Sequence, residues 1–146
     1  MMIMKTIKYL VIGALMLGFN APAVAQDNKA TIEQVSKLIK SNGSADAIKD
    51  IFKANKKNPE VLLGMGRAYL EVKDTANATK YANLALARDK KYAKAYILLG
   101  DIAVVQDDGG KAAEWYQQAK YFDPKDPEGY FKYANILRGR SPEEAV

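Results

Sequence analysis

Apolar residues recur at helical spacing through most of this chain. Over residues 59–72, Leu62, Met65, Ala68 and Tyr69 fall on one face of a helix. Over 75–88, Ala78, Tyr81, Ala82, Ala85 and Leu86 make a second such face. The same two-part pattern returns over 93–105 and 110–122. Upstream, Ile32, Val35, Leu38 and Ile39 predict a short amphipathic helix, Asn42 and Gly43 a turn, and Ser44 the cap of the next helix. Downstream, Tyr130, Phe131, Tyr133, Ala134 and Leu137 mark another. Helices this short are marginal alone in water, so each must bury its stripe against neighbours.

The pattern is periodic. Shifted by 34 residues the sequence matches itself: Leu62, Tyr96 and Tyr130; Met65, Leu99 and Tyr133; Gly66, Gly100 and Ala134. Asp74 pairs with Asp108, Ala78 with Ala112, Tyr81 with Trp115, Ala85 with Ala119, and Asp89 with Asp123. A two-helix unit repeated at this period predicts an all-α helical-hairpin solenoid. The repeats run over about 28–58, 59–92 and 93–126, with a partial one at 127–146.

With these residues in view, the chain resembles the tetratricopeptide repeat (TPR) family. Met65-Gly66 and Leu99-Gly100 match the family's Leu-Gly pair, and Tyr69 matches the aromatic three residues later, from which Ala103 departs. Ala78 and Ala112, with Ala85 and Ala119, match the small residues where helices cross, and Asp123-Pro124 matches the closing proline, from which Lys90 departs. The resemblance implies hairpins stacked into a right-handed superhelix.

The first repeat is degenerate. Ala47 and Ala54 stand in for the small residues and Pro59 closes it, but the step from Ala47 to Ala78 is 31 residues. At the other end, Ser141, Pro142 and Glu144 read as a capping box for a helix whose small residue would be Ala145. The stripe around Tyr133 and Leu137 then lacks a partner helix, from which continuation beyond Val146 is expected.

The period also settles the stretch "QDDGGK", which read alone suggests a cation loop or a phosphate cradle. It occupies the place of "VKDTAN" one repeat earlier. Asp108 is expected to cap the second helix, as Asp74 does, with Gly109 or Gly110 easing the turn. A calcium loop needs a closing glutamate about twelve residues on, and Glu114 comes too early. No strand precedes it, as a phosphate loop requires. Gly64-Met65-Gly66 lacks the strand and third glycine of a dinucleotide site and reads as close packing.

The first 25 residues differ in kind. Lys5 and Lys8 precede an apolar run over 9–19, and Ala23-Val24-Ala25 ends it with small residues at the ends of the triplet. This predicts a signal peptide cleaved between Ala25 and Gln26, and a mature chain that is periplasmic or secreted. Eleven apolar residues are too few to span a bilayer, so no transmembrane segment is expected in the mature chain. Cleavage removes Lys5 and Lys8, lowering the net charge from +5 to +3. The basic cluster over 88–94 is short and falls in an inter-helix turn, so nucleic acid is not an expected partner.

The chain has no histidine and no cysteine. That removes the usual nucleophilic pairs and the common zinc, haem and iron–sulfur ligand sets. Carboxylates such as Asp123 and Asp126 lie in a solvated turn rather than in a cleft. The expectation is therefore a non-catalytic protein-interaction scaffold of the cell envelope, with no cofactor and no metal. The alternatives are a structural subunit of an envelope assembly, or the docking arm of a protein whose functional domain lies further on. The resemblance implies a concave groove lined by first helices. It would present Glu60, Leu63, Arg67, Leu70 and Glu71; then Lys94, Ile97, Asp101, Val104 and Val105; then Glu128, Phe131 and Asn135. This mixture suits a peptide or helix held by side-chain contacts. No repeated Lys-Asn-Arg set of the kind used by some members to clamp a C-terminal carboxylate is present. The sequence fixes no oligomeric state.

Overall fold

The computed structural model describes the backbone of residues 21–139 and side chains from 27 onward. Most of the expected leader, and the expected capping box at Ser141, Pro142 and Glu144, lie outside the described residues. Among the described residues seven helices follow one another: α1 (Ala21–Lys40), α2 (Ala45–Asn55), α3 (Pro59–Glu71), α4 (Thr75–Arg88), α5 (Ala93–Val105), α6 (Gly109–Phe122) and α7 (Pro127–Arg138). Among the described residues there is no strand. The architecture is an all-α stack of helical hairpins. The helix α1 is longer than the short one expected, and the expected cleavage bond after Ala25 falls within it.

Helix starts are set by side chains that satisfy free backbone N–H groups. Asp74 accepts from the Asn77 N–H and Asp108 from the Lys111 N–H, each at 3.0 Å. Ser44 accepts from the Ala47 N–H at 3.3 Å. Asn58 and Asp126 cap α3 and α7, with Pro59 and Pro127 in the first helical turn, where no donor is lost. The stretch "QDDGGK" is thus a turn and a helix cap. Its left-handed residue is not a glycine, however. Asp107 takes φ 59°, as Lys73 takes φ 63° one repeat earlier and Asn42 φ 53° after α1. Behind each lies the helix-ending pattern in which the next N–H reaches back five residues: Asp108 to the Ala103 carbonyl and Asp74 to the Tyr69 carbonyl, both at 2.9 Å. Gly109 is already helical and has no positive φ.

The core follows the repeat. Leu62, Met65, Val61 and Leu98 are fully buried, and Ala78, Ala82, Ala85 and Ala112 are sealed between helices. Small residues there let the axes approach. At Gly100 the approach is closest: a Cβ would lie 2.3 Å from the Tyr116 ring. In the preceding repeat Tyr69 and Tyr81 stack at 5.5 Å, and Phe52 of α2 meets Tyr81 edge-on at 5.8 Å. Ala54, expected at a crossing, is exposed: α2 docks through Ile51 and Phe52 instead.

Candidate groove of the first helices

Among the described residues, polar contacts join the first helices of two pairs of hairpins, α1 to α3 and α5 to α7. The Asn28 amide on α1 donates to Glu60 on α3 at 2.8 Å and accepts from Asn58 at the same distance. Lys40 on α1 pairs with Glu71 on α3. Between α5 and α7, Lys94 lies 2.7 Å from Glu128 and 2.8 Å from Asp126, and Lys132 lies 2.6 Å from Asp101. Asp101 also accepts from the Tyr116 hydroxyl at 2.7 Å, tying the groove to the core of its own hairpin.

The electrostatics follow from these contacts. Hydrogen bonding to Asp126 and then Glu128 raises the Lys94 ammonium above its ordinary pKa, against the opposing effect of burial. The same contact holds the Asp126 carboxyl below the usual range. Burial first, then the bond to Asp101, pushes the Tyr116 hydroxyl far up, so it stays a donor at any physiological pH. These pairs are partly solvated, and each is worth no more than about 1 kcal/mol. Their larger effect is geometric, since they fix the spacing of neighbouring first helices.

The expected groove residues separate into three groups. Glu60, Glu71, Lys94, Asp101 and Glu128 do sit on the first helices, but their charges are engaged with neighbouring helices. Leu63 and Ile97 are not surface groups: they are 4% and 1% exposed. Both lie in the hydrophobic core: Ile97 packs with Ala112 and Tyr116 of its own hairpin, and Tyr133 and Ile136 of α7 pack against that cluster. At the corresponding place in α7, Phe131 is 67% exposed. The remainder face solvent: Arg67 and Asn135 are exposed, Leu70 is half-buried, and Val104 and Val105 are 46% and 39% exposed. Arg67 makes no ion pair within the described residues.

An open depression of about 310 Å³ lies along this face. Its wall includes Ile32 and Ser36 of α1 and Tyr92 at the entrance to α5, beside Arg67 and Ala68 of α3. None of the three added residues was expected. The first repeat is out of the 34-residue register, so matching positions could not place α1 in the wall. The pairing of charges was open to inspection, because Lys94 and Glu128 are opposite in sign and one repeat apart.

The chain matches no protein-family model and no curated protein. Among solved structures it is similar to the first TPR of Spaghetti (RPAP3) bound to HSP90 peptide SRMEEVD. The identity there is 23%, over 77% of this chain and 92% of that one, with a TM-score of 0.62. The first TPR domain of the human RPAP3 protein matches at 23% identity over 76% of this chain and 90% of that one, TM-score 0.61. The Arabidopsis OM64 TPR domain matches at 19% identity over 79% and 98%, TM-score 0.62. These likenesses agree in kind with the 34-residue period and the sealed alanines, and the chain has the fold of a TPR domain.

Proposed function

We propose that this protein is a non-catalytic interaction scaffold whose first-helix groove holds a segment of another protein, and that it acts in the cell envelope after export. The observation that carries the groove reading is the division of labour among its side chains. Five charged groups are tied between helices, while Arg67, Leu70, Val104, Val105 and Phe131 remain at least partly free. Such a surface binds through apolar contacts with one acidic group opposite Arg67, rather than through a set of charge clamps. A fold neighbour bound to a peptide supports the same use of the fold. The export half of the reading rests on the pattern of Lys5, Lys8, the apolar run and Ala23-Val24-Ala25.

The test is peptide selection from a displayed library on the wild-type protein, followed by rebinding to Arg67→Glu and Val104→Asp. Peptides that bind the wild type and lose affinity for both variants are expected. Peptides that bind all three equally would place recognition elsewhere. Asp101 is unsuitable as a test position, because its carboxylate holds Tyr116 and Lys132. One observation favours a second reading, a subunit stacked into a larger assembly: Tyr130, Phe131 and Leu137 leave an apolar stripe on α7 at 46%, 67% and 41% exposure.

A further inference from the structure

Two helices of the array sink few side chains into the core, and they are held by different forces. The first is α2, whose buried residue is Ile51 and whose Phe52 meets the Tyr81 ring. Among the described residues no ion pair ties α2 to another helix. The second is α7. Its one buried residue is Gly129, which has no side chain to contribute. By contrast, α5 buries Ile97, Leu98, Leu99 and Ile102.

Three lysines fasten α7. Lys94 of α5 holds Asp126 and Glu128 at the start of the helix, at 2.8 Å and 2.7 Å. Lys132 of α7 reaches back to Asp101 of α5 at 2.6 Å. Lys120 of α6 lies over the Tyr130 and Tyr133 rings, 4.8 Å and 4.2 Å from their centres. The apolar contact beneath is thin: Tyr133 and Ile136, both partly buried, pack against the cluster of Ile97, Ala112 and Tyr116. Tyr130, Phe131 and Leu137 stay exposed.

Charge contacts that solvent reaches weaken as salt screens them, whereas apolar burial is not screened. The Lys94 and Lys132 side chains are 40% and 28% exposed, so ions reach both. We propose that α7 is a charge-fastened flap that opens as a unit apart from the rest of the array, more readily as ionic strength rises, and uncovers Ile97 and Tyr116 on the α5–α6 hairpin. Glu128, Phe131 and Asn135 lie on this helix, so its opening also takes away the far end of the groove. The flap does not rest on the groove reading, and its test needs no peptide.

The test is native-state hydrogen exchange of the full chain, read by mass spectrometry at about 0.02 M and about 0.5 M sodium chloride. Segments from α7 are expected to exchange at least about tenfold faster than those from α5 at either salt concentration. The added salt is expected to speed exchange in α7 by at least about threefold and to leave α2 unchanged. Lys132→Gln leaves the Tyr116 hydroxyl its bond to Asp101. It is expected to speed exchange in α7 at low salt and to shrink the salt effect there, with protection of α3 and α4 unchanged. Protection of α7 equal to that of α5 would overturn the flap. So would a salt response of the same size in α2 and α7, or exchange in α7 that is indifferent to Lys132→Gln.

Discussion

Replacing Gly100 by alanine makes the tightest test of how this array is held together. In most helices the change is favourable, because alanine is better than glycine by about 0.8–1.0 kcal/mol in a helix interior. Here the new methyl would lie 2.3 Å and 2.5 Å from two carbons of the Tyr116 ring. The ring cannot yield freely, because it is buried and its hydroxyl is bonded to Asp101 at 2.7 Å. Overpacking of this kind costs about 1–3 kcal/mol. Displacing the ring would also weaken a hydrogen bond to a carboxylate, worth about 1.5–3 kcal/mol. Against the propensity gain, a net loss of roughly 1–4 kcal/mol is expected. Gly129→Ala is the control. Its methyl would meet the Lys120 side chain at 3.4 Å, an ordinary contact, so that variant should be neutral or more stable by up to about 1 kcal/mol. Thermal unfolding followed by far-ultraviolet circular dichroism separates the two, at about 4 °C per kcal/mol. A Gly100→Ala protein as stable as the Gly129→Ala protein would refute the close-approach reasoning.

Other outcomes follow from the same structure. Ile97→Ala should cost about 2–5 kcal/mol in urea unfolding, whereas Phe131→Ala, at the matching but exposed place, should stay within about 0.5 kcal/mol. Ala112→Trp should abolish the cooperative unfolding transition by forcing apart α5 and α6, as seen by calorimetry. The Asp126 and Asp74 carboxyls are held below their ordinary values, the first by Lys94 and the second by the Asn77 N–H. Their contribution is present above about pH 4 and is lost as pH falls through the lowered folded values. Asp126→Asn should therefore flatten the acid limb of a stability–pH curve. Lys94 is raised, so its contribution is present below about pH 10.4 and disappears as pH rises through the folded value. Lys94→Met should remove that alkaline loss.

How far the groove was legible depended on what each residue does there. Position within the repeat correctly put Glu60, Arg67 and Lys94 on first helices, because helix phase follows from apolar spacing. It did not separate Phe131 from Ile97, which occupy the same place in consecutive repeats. Their difference is whether another hairpin packs over them, a property of neighbours rather than of phase. Nor did it show that Asp101 and Lys132 meet, since they are 31 residues apart and join only when α5 and α7 lie side by side.

The sequence by itself determined the helices, their caps and the stacking of hairpins. Those depend on local spacing and on backbone donors that Asp74, Asp108 and Ser44 satisfy within three residues. It also determined that Ala78, Ala85, Ala112 and Ala119 are sealed, because a 34-residue period sends matching residues to matching contacts, whereas Ala54, outside that register, is exposed. Only the tertiary structure decided which charges are spent between helices, which apolar groups stay in water, and that Tyr116 is the buried ring of its hairpin while Trp115 packs half-buried against the core. Those outcomes depend on distances between helices far apart in the chain. A few ångströms there convert a charged side chain from a recognition group into a strut.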